Sequence, residues 1–552
     1  MGEMSRRSIL KGAAAAGIAS ALAARPGEQG VVDAARRDLI RKENEKPGTT
    51  DWQLTYTRVD PDTQYRCPWI EGYVSKASVR AGEMLDFMVS TNPVGPFTID
   101  VYRMGYYGGA GARHVMSLGP SGQGTDPVFR SAEPARGGKG TDPVFRSARP
   151  ARKTGSVPVD IMSLGPFDGV VQEDPPVGEE RLRECRWAPC ATLTIPNDWV
   201  SGVYLGKLSL VNDRYQSYVI FIVRDDREAD VLFQCSDNTW QAYNRWPDNF
   251  SLYDDGENPW ALKSGIRVSY DRPYGKYCQI LDAPLSQGSG EFLLWEFPLA
   301  YWLEKEGYDV TYCSNTDVHA DAACALRAKA FLSVGHDEYW SLEQFNNVKA
   351  AVDAGVNVAF LSGNTCCFVT PTTPSTDGRP NRILTRGGCF GGMIEAEAKI
   401  MGPFTMEGPD ERTLIGARSV MPFNGSADWI VSDASSWLFD GTGMKNGDGI
   451  PGLVGWEFHG EPAPIEGLKV VAEGTSINGS DETAHWTATL YPGPKGNWVF
   501  NASTIWWAQG LSSPPGHMLP YSHFGRPHGP DARVQKITEN FLRKAIGKHA
   551  RS

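Results

Sequence analysis

The sequence predicts an α+β multidomain protein: an N-terminal β-sandwich, Ig-like or jelly-roll, followed by an α/β domain with a mostly parallel sheet. Three observations predict it. The chain has 552 residues, too many for one ordinary core, so two or three domains are expected. From about Trp52 to Arg224, apolar and polar residues alternate or nearly alternate in short runs, the signature of half-buried strands. After Asp225 the runs become wholly apolar and alternate with helical patterns, as buried parallel strands with right-handed crossovers do.

The first element is an address. Residues 1–24 read as a twin-arginine signal peptide: Ser5-Arg6-Arg7-Ser8 precedes an Ala-rich apolar stretch from Gly12, and Ala21-Leu22-Ala23 offers small residues for cleavage. The apolar run is too short and alanine-rich for a membrane span. The expectation is export to the periplasm or the extracellular space. Residues 25–50 read as a linker. A hydrophobic content of 41% is enough to bury a core, and a formal charge of −11 argues against nucleic-acid or anionic-membrane partners. The ten cysteines form no CxxC pair and no zinc spacing. Cys185 and Cys190 are spaced to close a small disulfide loop in an oxidising compartment.

The β-sandwich domain spans 51–225. Phe97 to Tyr102, Tyr204 to Leu210 and Tyr218 to Val223 are its clearest strands, and Asn212-Asp213 is a turn. A tandem duplication lies inside it: Gly124 to Ala132 recurs as Gly140 to Ala148, which reads as a surface loop over 124–152 lengthened by copying.

The α/β domain spans 226–548, and its strand–helix grammar predicts a flavodoxin/glutamine-amidotransferase-like sheet with β-rich insertions. Strands are expected at Asp230 to Gln234, Asp309 to Cys313, Ala330 to Val334 and Asn357 to Leu361. Phe292 to Leu303 marks a helix face that Pro298 must kink or restart. Ser341 and Gln344 have capping-box spacing before a helix ending near Gly355, and Asp531 to Lys548 reads as a terminal helix. Residues 370–530 read as short β segments that extend the layer.

In an open α/β sheet, function sits past the carboxyl ends of the strands. Three such ends carry polar clusters: Ser236 to Thr239, Gly335 to Tyr339, and Gly363-Asn364-Thr365. They are expected to converge. Gly335-His336-Asp337-Glu338-Tyr339-Trp340 is the richest, and in extended backbone His336 and Glu338 point the same way. No HExxH, P-loop, GxSxG or GxGxxG is present. Tyr243 follows the first strand of this domain and Tyr274 lies in Asp271-Arg272-Pro273-Tyr274. Gly363 to Cys367 offers a second chemistry, a thiol at a sharp turn as in a cysteine-nucleophile amidase. A third reading is a non-catalytic exported binding protein.

The runs Tyr102 to Tyr107, Asn238 to Asn244, Asp271 to Tyr274, Trp302 to Val310, Gly335 to Ser341 and Gly455-Trp456-Glu457 together resemble the catalytic C-terminal region of the large (beta) subunit of N,N-dimethylformamidase and its relatives. The resemblance spans roughly residues 50–520. It implies an amidohydrolase acting on small N-substituted linear amides, with a mononuclear ferric ion (Fe3+) held by two tyrosinates and one glutamate. Glu338 carries over as the carboxylate ligand, and Tyr243 and Tyr274 as the tyrosines, with Tyr253, Tyr270 and Tyr277 as substitutes. It further implies His336 as a hydrogen bonder or proton shuttle, Asn364 as a donor to a developing oxyanion, and Glu457 as a base or water orienter. A small partner subunit or a homo-oligomer is also implied. Hard oxygen donors suit a hard ferric ion, and such an ion would draw the tyrosine pKa far below its reference of about 10.

Overall fold

A computed structural model describes residues 38–119, 124–125, 166–276, 286–391, 407–420, 423–523 and 525–547. The signal peptide, all but two residues of the duplicated loop, and Tyr277 lie outside the described residues.

The N-terminal part holds two sheets. One has three antiparallel strands, Glu71–Val74, Met84–Ser90 and Ala191–Thr194. The other has six, in the order Ser78–Arg80, Gln216–Arg224, Gly202–Leu210, Phe97–Met104, Ala112–Leu118 and Gly124–Thr125. The alternating apolar residues of both meet in one buried cluster, where Leu85, Phe87 and Val89 pack with Ile99, Val101, Leu208 and Phe221. Phe87 and Phe221 meet edge to face with ring centroids 6.0 Å apart. Gly206 permits this closeness, because a β-carbon there would stand 2.7 Å from a Val219 methyl.

The expected flavodoxin/glutamine-amidotransferase-like, mostly parallel sheet is not what forms. The main sheet has nine strands, ordered Val310–Ser314, Ala229–Cys235, Ala328–His336, Asn357–Gly363, Trp498–Asn501, Thr483–Pro492, Lys469–Asn478, Gly425–Ile430 and Gly449–Val454. The first five run parallel. From Trp498–Asn501 onward every pairing in this sheet is antiparallel. Helices are few and short, and the described chain is mostly β in large mixed sheets. The physical reason lies in residues 425–501. Lys469–Asn478 pairs with Thr483–Pro492 as a hairpin, and hairpins need no helical crossover. These segments continue the main sheet as strands.

Local signals were kept where capping or proline dictates them. Helix Leu342–Ala354 begins where the Ser341 hydroxyl accepts from the Gln344 amide at 3.0 Å and ends at Gly355, whose φ is +110°. Only half of the capping box forms, because the Gln344 side chain donates to Gln234 at 2.9 Å instead. A wide π-type turn, Phe292–Glu296, precedes helix Phe297–Lys305, which restarts with Pro298 in its first turn. The Asp531 side chain caps the terminal helix Ala532–Ile546.

A buried ion pair ties the two parts together. Arg103 donates to both carboxylate oxygens of Glu304, at 3.0 and 2.8 Å, and to the Ser201 carbonyl at 2.7 Å. Tyr107 Oη accepts from Arg103 at 3.0 Å and donates to Glu43 at 2.9 Å. Two of the quoted runs, those around Arg103 and around Glu304, therefore meet in this clamp.

Cys185 and Cys190 are free thiols, so the expected Cys185–Cys190 bridge is absent. Cys185 is packed against Tyr73 and Trp187, while Cys190 hydrogen-bonds the Phe87 carbonyl at 3.3 Å. Among the described residues no helix is long and apolar enough to cross a membrane.

Candidate functional site

The three polar strand ends meet. Ser236 Oγ donates to the Val334 carbonyl at 2.6 Å, the Glu338 amide donates to Thr239 Oγ1 at 3.1 Å, and the Asp337 amide donates to Ser362 Oγ at 3.2 Å. The penultimate residue of strand Ala328–His336 is Gly335, at φ +73°. A β-carbon there would stand 2.9 Å from Glu296 Cγ and 3.0 Å from Trp295 Cβ. Glycine thus lets the wide turn Phe292–Glu296 press against the strand end. Asp337 is turned inward, accepting from Ser333 at 2.6 Å, Gln234 at 2.7 Å and Asn315 at 2.9 Å. Its role is to fix the backbone that presents His336 and Glu338.

Around Glu338 the donors are oxygen-rich and fully buried. Tyr243, the last residue of helix Asp237–Tyr243, donates its hydroxyl to Glu338 Oε2 at 2.6 Å. The Tyr253 hydroxyl lies 2.7 Å from that of Tyr243 and accepts from Tyr339 at 2.5 Å. Asn364, at φ +54° just past strand Asn357–Gly363, donates to Glu338 Oε1 at 3.3 Å. His336 Nε2 lies 3.2 Å from Glu338 Oε2 and 2.8 Å from Glu457 Oε2, and its Nδ1 lies 3.3 Å from Glu291 Oε2. The ligating atoms of His336, Glu338 and Glu457 all fall within 4.8 Å of one another, a group able to hold a metal ion.

The electrostatics follow from burial among like charges. Burial pushes the Tyr243 and Tyr253 phenols well above their ordinary value, and Glu338 adds to the shift. Burial opposes charge on His336, but Glu457, Glu291 and Glu338 outweigh it and raise the imidazole well above its usual value. Burial pushes Glu457 up to about 7, against the pull of His336. The Arg386 guanidinium lies 4.5 Å over the Tyr253 ring and 4.4 Å over that of Phe368, a buried cation beside the phenols.

Arg272 holds the loops that carry Tyr243 and Tyr253. It is buried and donates to the carbonyls of Gln241 at 3.0 Å, Trp246 at 2.9 Å, Phe250 at 2.7 Å and Ser269 at 3.1 Å. Asp271 beside it pairs with Arg382 at 2.7 Å and Arg379 at 2.8 Å. The Asp271-Arg272-Pro273-Tyr274 run is thus a scaffold for the site.

Five of the six candidate residues, Tyr243, His336, Glu338, Asn364 and Glu457, are gathered in one cluster. Tyr274 sits elsewhere: its ring meets Trp240 edge-on at 6.3 Å and lines a cavity of about 20 Å³ with Asp237, Tyr270 and Arg272. Among the described residues no contact joins Tyr274 to Glu338. Tyr270 is engaged by Asp237 at 3.0 Å and Asn238 at 2.8 Å. Sequence reasoning gave no role to Tyr339, Arg386 or Glu291. Glu291 did leave a signal, as an acid opening the apolar run Phe292-Leu293-Leu294-Trp295. Cys366 packs in an apolar cluster, and burial pushes its thiol well above the ordinary value, the reverse of an activated nucleophile.

The parallel strand ends of a mixed sheet thus gather buried phenols, carboxylates and an imidazole into one enclosed cluster able to hold a metal ion. The profile of the family described as N,N-dimethylformamidase beta subunit-like, C-terminal, matches residues 149–521, and the chain belongs to that family. A twin-arginine translocation (TAT) pathway signal sequence matches residues 3–23, an export address. No curated protein matches the chain.

Proposed function

We propose that this chain is an exported hydrolase of small N-substituted amides, N,N-dimethylformamidase-like, and that it depends on a mononuclear ferric ion. One observation carries the reading: the hydroxyls of Tyr243 and Tyr253 and the Glu338 carboxylate form a chain of contacts at 2.7 and 2.6 Å, fully buried beside His336 and Glu457. The family described for a dimethylformamidase beta subunit supports the reaction class.

The residues fit such an ion. Two phenols and a carboxylate are hard donors. Glu457 Oε1 and Asn364 Oδ1 are buried with no hydrogen-bond partner among the described residues, polar atoms open to a ligand. Tyr243, Tyr253 and Glu338 would hold the ion, with Tyr253 in the place the sequence gave to Tyr274. A bound ferric ion would supply Lewis acidity toward an amide carbonyl and a water.

The chain's own residues supply the proton traffic. Glu457, raised to about 7 by burial, accepts a proton from water near neutral pH. His336 Nε2, 2.8 Å from Glu457 Oε2, relays it toward the departing amine. Asn364 Nδ2 holds Glu338 and faces the same space as a donor for charge on oxygen. Exclusion of water strengthens each of these interactions. The exported chain acts at its destination in the periplasm or outside the cell, with a small partner subunit or a second copy as assembly partner.

The test is elemental analysis and a visible spectrum of the purified protein, followed by a panel of formamides and acetamides. About one iron per chain, a tyrosinate-to-iron band and chelator-sensitive hydrolysis are expected. Iron-free protein that hydrolyses amides at full rate would overturn the reading.

A further inference from the structure

We propose that Glu71 and Trp246 are the positioning pair of the two phenols: the N-terminal sheets grip the loop between Tyr243 and Tyr253, and so set where both hydroxyls stand. What the hydroxyls hold rests on the ferric reading; that the loop is gripped does not.

Residues 243–252 leave helix Asp237–Tyr243 and return beside it. The Leu252 amide donates to the Ala242 carbonyl at 2.9 Å, so the two ends meet. Such a loop, compact and closed at its neck, is of the Ω type. Tyr243 and Tyr253 stand at that neck with their hydroxyls 2.7 Å apart.

The middle of the loop packs on the N-terminal part of the molecule. The Trp246 ring is fully buried in an apolar cluster with Tyr73 and Met88, from strands Glu71–Val74 and Met84–Ser90, and with Cys185 and Trp187. It meets the Trp187 ring edge-on, with centroids 5.9 Å apart. An indole N–H buried without an acceptor is costly. The acceptor here is Glu71 Oε2, at 2.9 Å. Glu71 is itself buried, and its other oxygen pairs with Arg66. The Arg66 guanidinium lies 5.2 Å over the Trp246 ring and reaches Asp174 at 2.8 Å. An ionised acceptor on a strand makes this a strong and directional hydrogen bond. The Tyr65 hydroxyl adds a second tie, accepting from Arg245 at 2.8 Å. From the other side Arg272 holds the Trp246 and Phe250 carbonyls. The loop is thus held on two faces, and the face toward the N-terminal sheets depends on one side-chain hydrogen bond. Partners of this kind set how well ligating side chains are presented, although they touch no ligand themselves.

The experiment uses the full chain with Glu71→Leu, Trp246→Phe and the two combined. Arg103→Met is the control, because the Arg103–Glu304 pair joins the same two parts of the molecule through other residues. The first readout is hydrogen exchange by mass spectrometry on protein freed of iron. Amides 244–252 are expected to exchange about tenfold faster in Glu71→Leu and in Trp246→Phe, no faster again in the combination, and at the native rate in Arg103→Met. Native exchange in Glu71→Leu, or an equal acceleration in Arg103→Met, overturns the proposal. The second readout is iron retained against EDTA, with the visible band. In Glu71→Leu retention is expected to fall about tenfold to a hundredfold and the band to move, while Arg103→Met changes neither. A loosened loop with native iron retention and a native band also overturns it. If the native chain binds no iron, the ferric reading falls, and exchange of 244–252 still decides whether Glu71 and Trp246 grip the loop. Should Glu71→Leu fail to fold, Trp246→Phe, which keeps a ring in the cluster, gives both readouts.

Discussion

Gly363 lies so close to Glu457 that a β-carbon at 363 would stand 2.2 Å from the Glu457 carbonyl oxygen and 2.7 Å from the Ile505 amide nitrogen. The last residue of a parallel strand is thereby in backbone contact with the segment that supplies Glu457, which burial pushes up to about 7. Gly363→Ala must push that segment away. Because a displacement of about 1 Å costs on the order of a hundredfold in rate, kcat is expected to fall by that order while iron content stays near one per chain. An unchanged kcat would show that Glu457 needs no such placement.

Tyr243 donates to Glu338 and Tyr253 lies against Tyr243, whereas no contact among the described residues joins Tyr274 to Glu338. Tyr243→Phe and Tyr253→Phe are therefore expected to lose the visible charge-transfer band and most of the bound iron. Tyr274→Phe is expected to keep both. Metal analysis and a spectrum of the three variants separate the alternatives, and a band lost only in Tyr274→Phe would restore the ligand set read from sequence.

The Arg103–Glu304 pair is fully enclosed. Arg103→Met leaves a carboxylate buried without its partner and is expected to cost about 3–5 kcal/mol in urea unfolding. Arg103→Met combined with Glu304→Met removes both charges and is expected to recover much of that loss. Equal losses in the single and double variants would mean that packing, rather than the orphaned charge, sets the cost.

The same clamp predicts an acid limb. Burial opposes ionisation of Glu43, but Arg103, Lys46 and Arg113 outweigh it and lower its pKa to about 2. The unfolded carboxylate titrates at about 4.3. A depressed folded pKa gives stability that is complete above the unfolded value and is lost as pH falls toward 2. The contribution at neutral pH is on the order of 3 kcal/mol. Unfolding measured between pH 6 and 2.5 should therefore show a shallower acid slope in Glu43→Gln than in the native chain. Parallel slopes would remove Glu43 from the account.

Much of the site was legible because its residues follow strand ends. Gly335-His336-Asp337-Glu338 and Gly363-Asn364 could be placed from an apolar run and the glycine ending it. Tyr253 over Tyr274 could not be decided from spacing, since the loop after Tyr243 is irregular and is shaped by Arg272 donating to three carbonyls distant in sequence, those of Gln241, Trp246 and Phe250. The sheet was misread for a related reason. Parallel strands with helical crossovers announce themselves locally. By contrast, Thr483–Pro492 and Lys469–Asn478 look like any hairpin until Trp498–Asn501 docks beside Asn357–Gly363 and joins them to the layer. Two quoted runs proved to be scaffolding, because buried arginines leave the same trace in a sequence whether they hold loops or bind ligands.

That docking has an outcome for how the protein matures. Tyr243, Tyr253 and Glu338 come from the parallel half of the main sheet and its loops, whereas Glu457 follows strand Gly449–Val454 at the far antiparallel end of that sheet. On the proposed reading, a chain halted midway would own the oxygens proposed to hold iron yet lack the proposed base. Colour and turnover should consequently appear at different moments of refolding, pigment first and catalysis after.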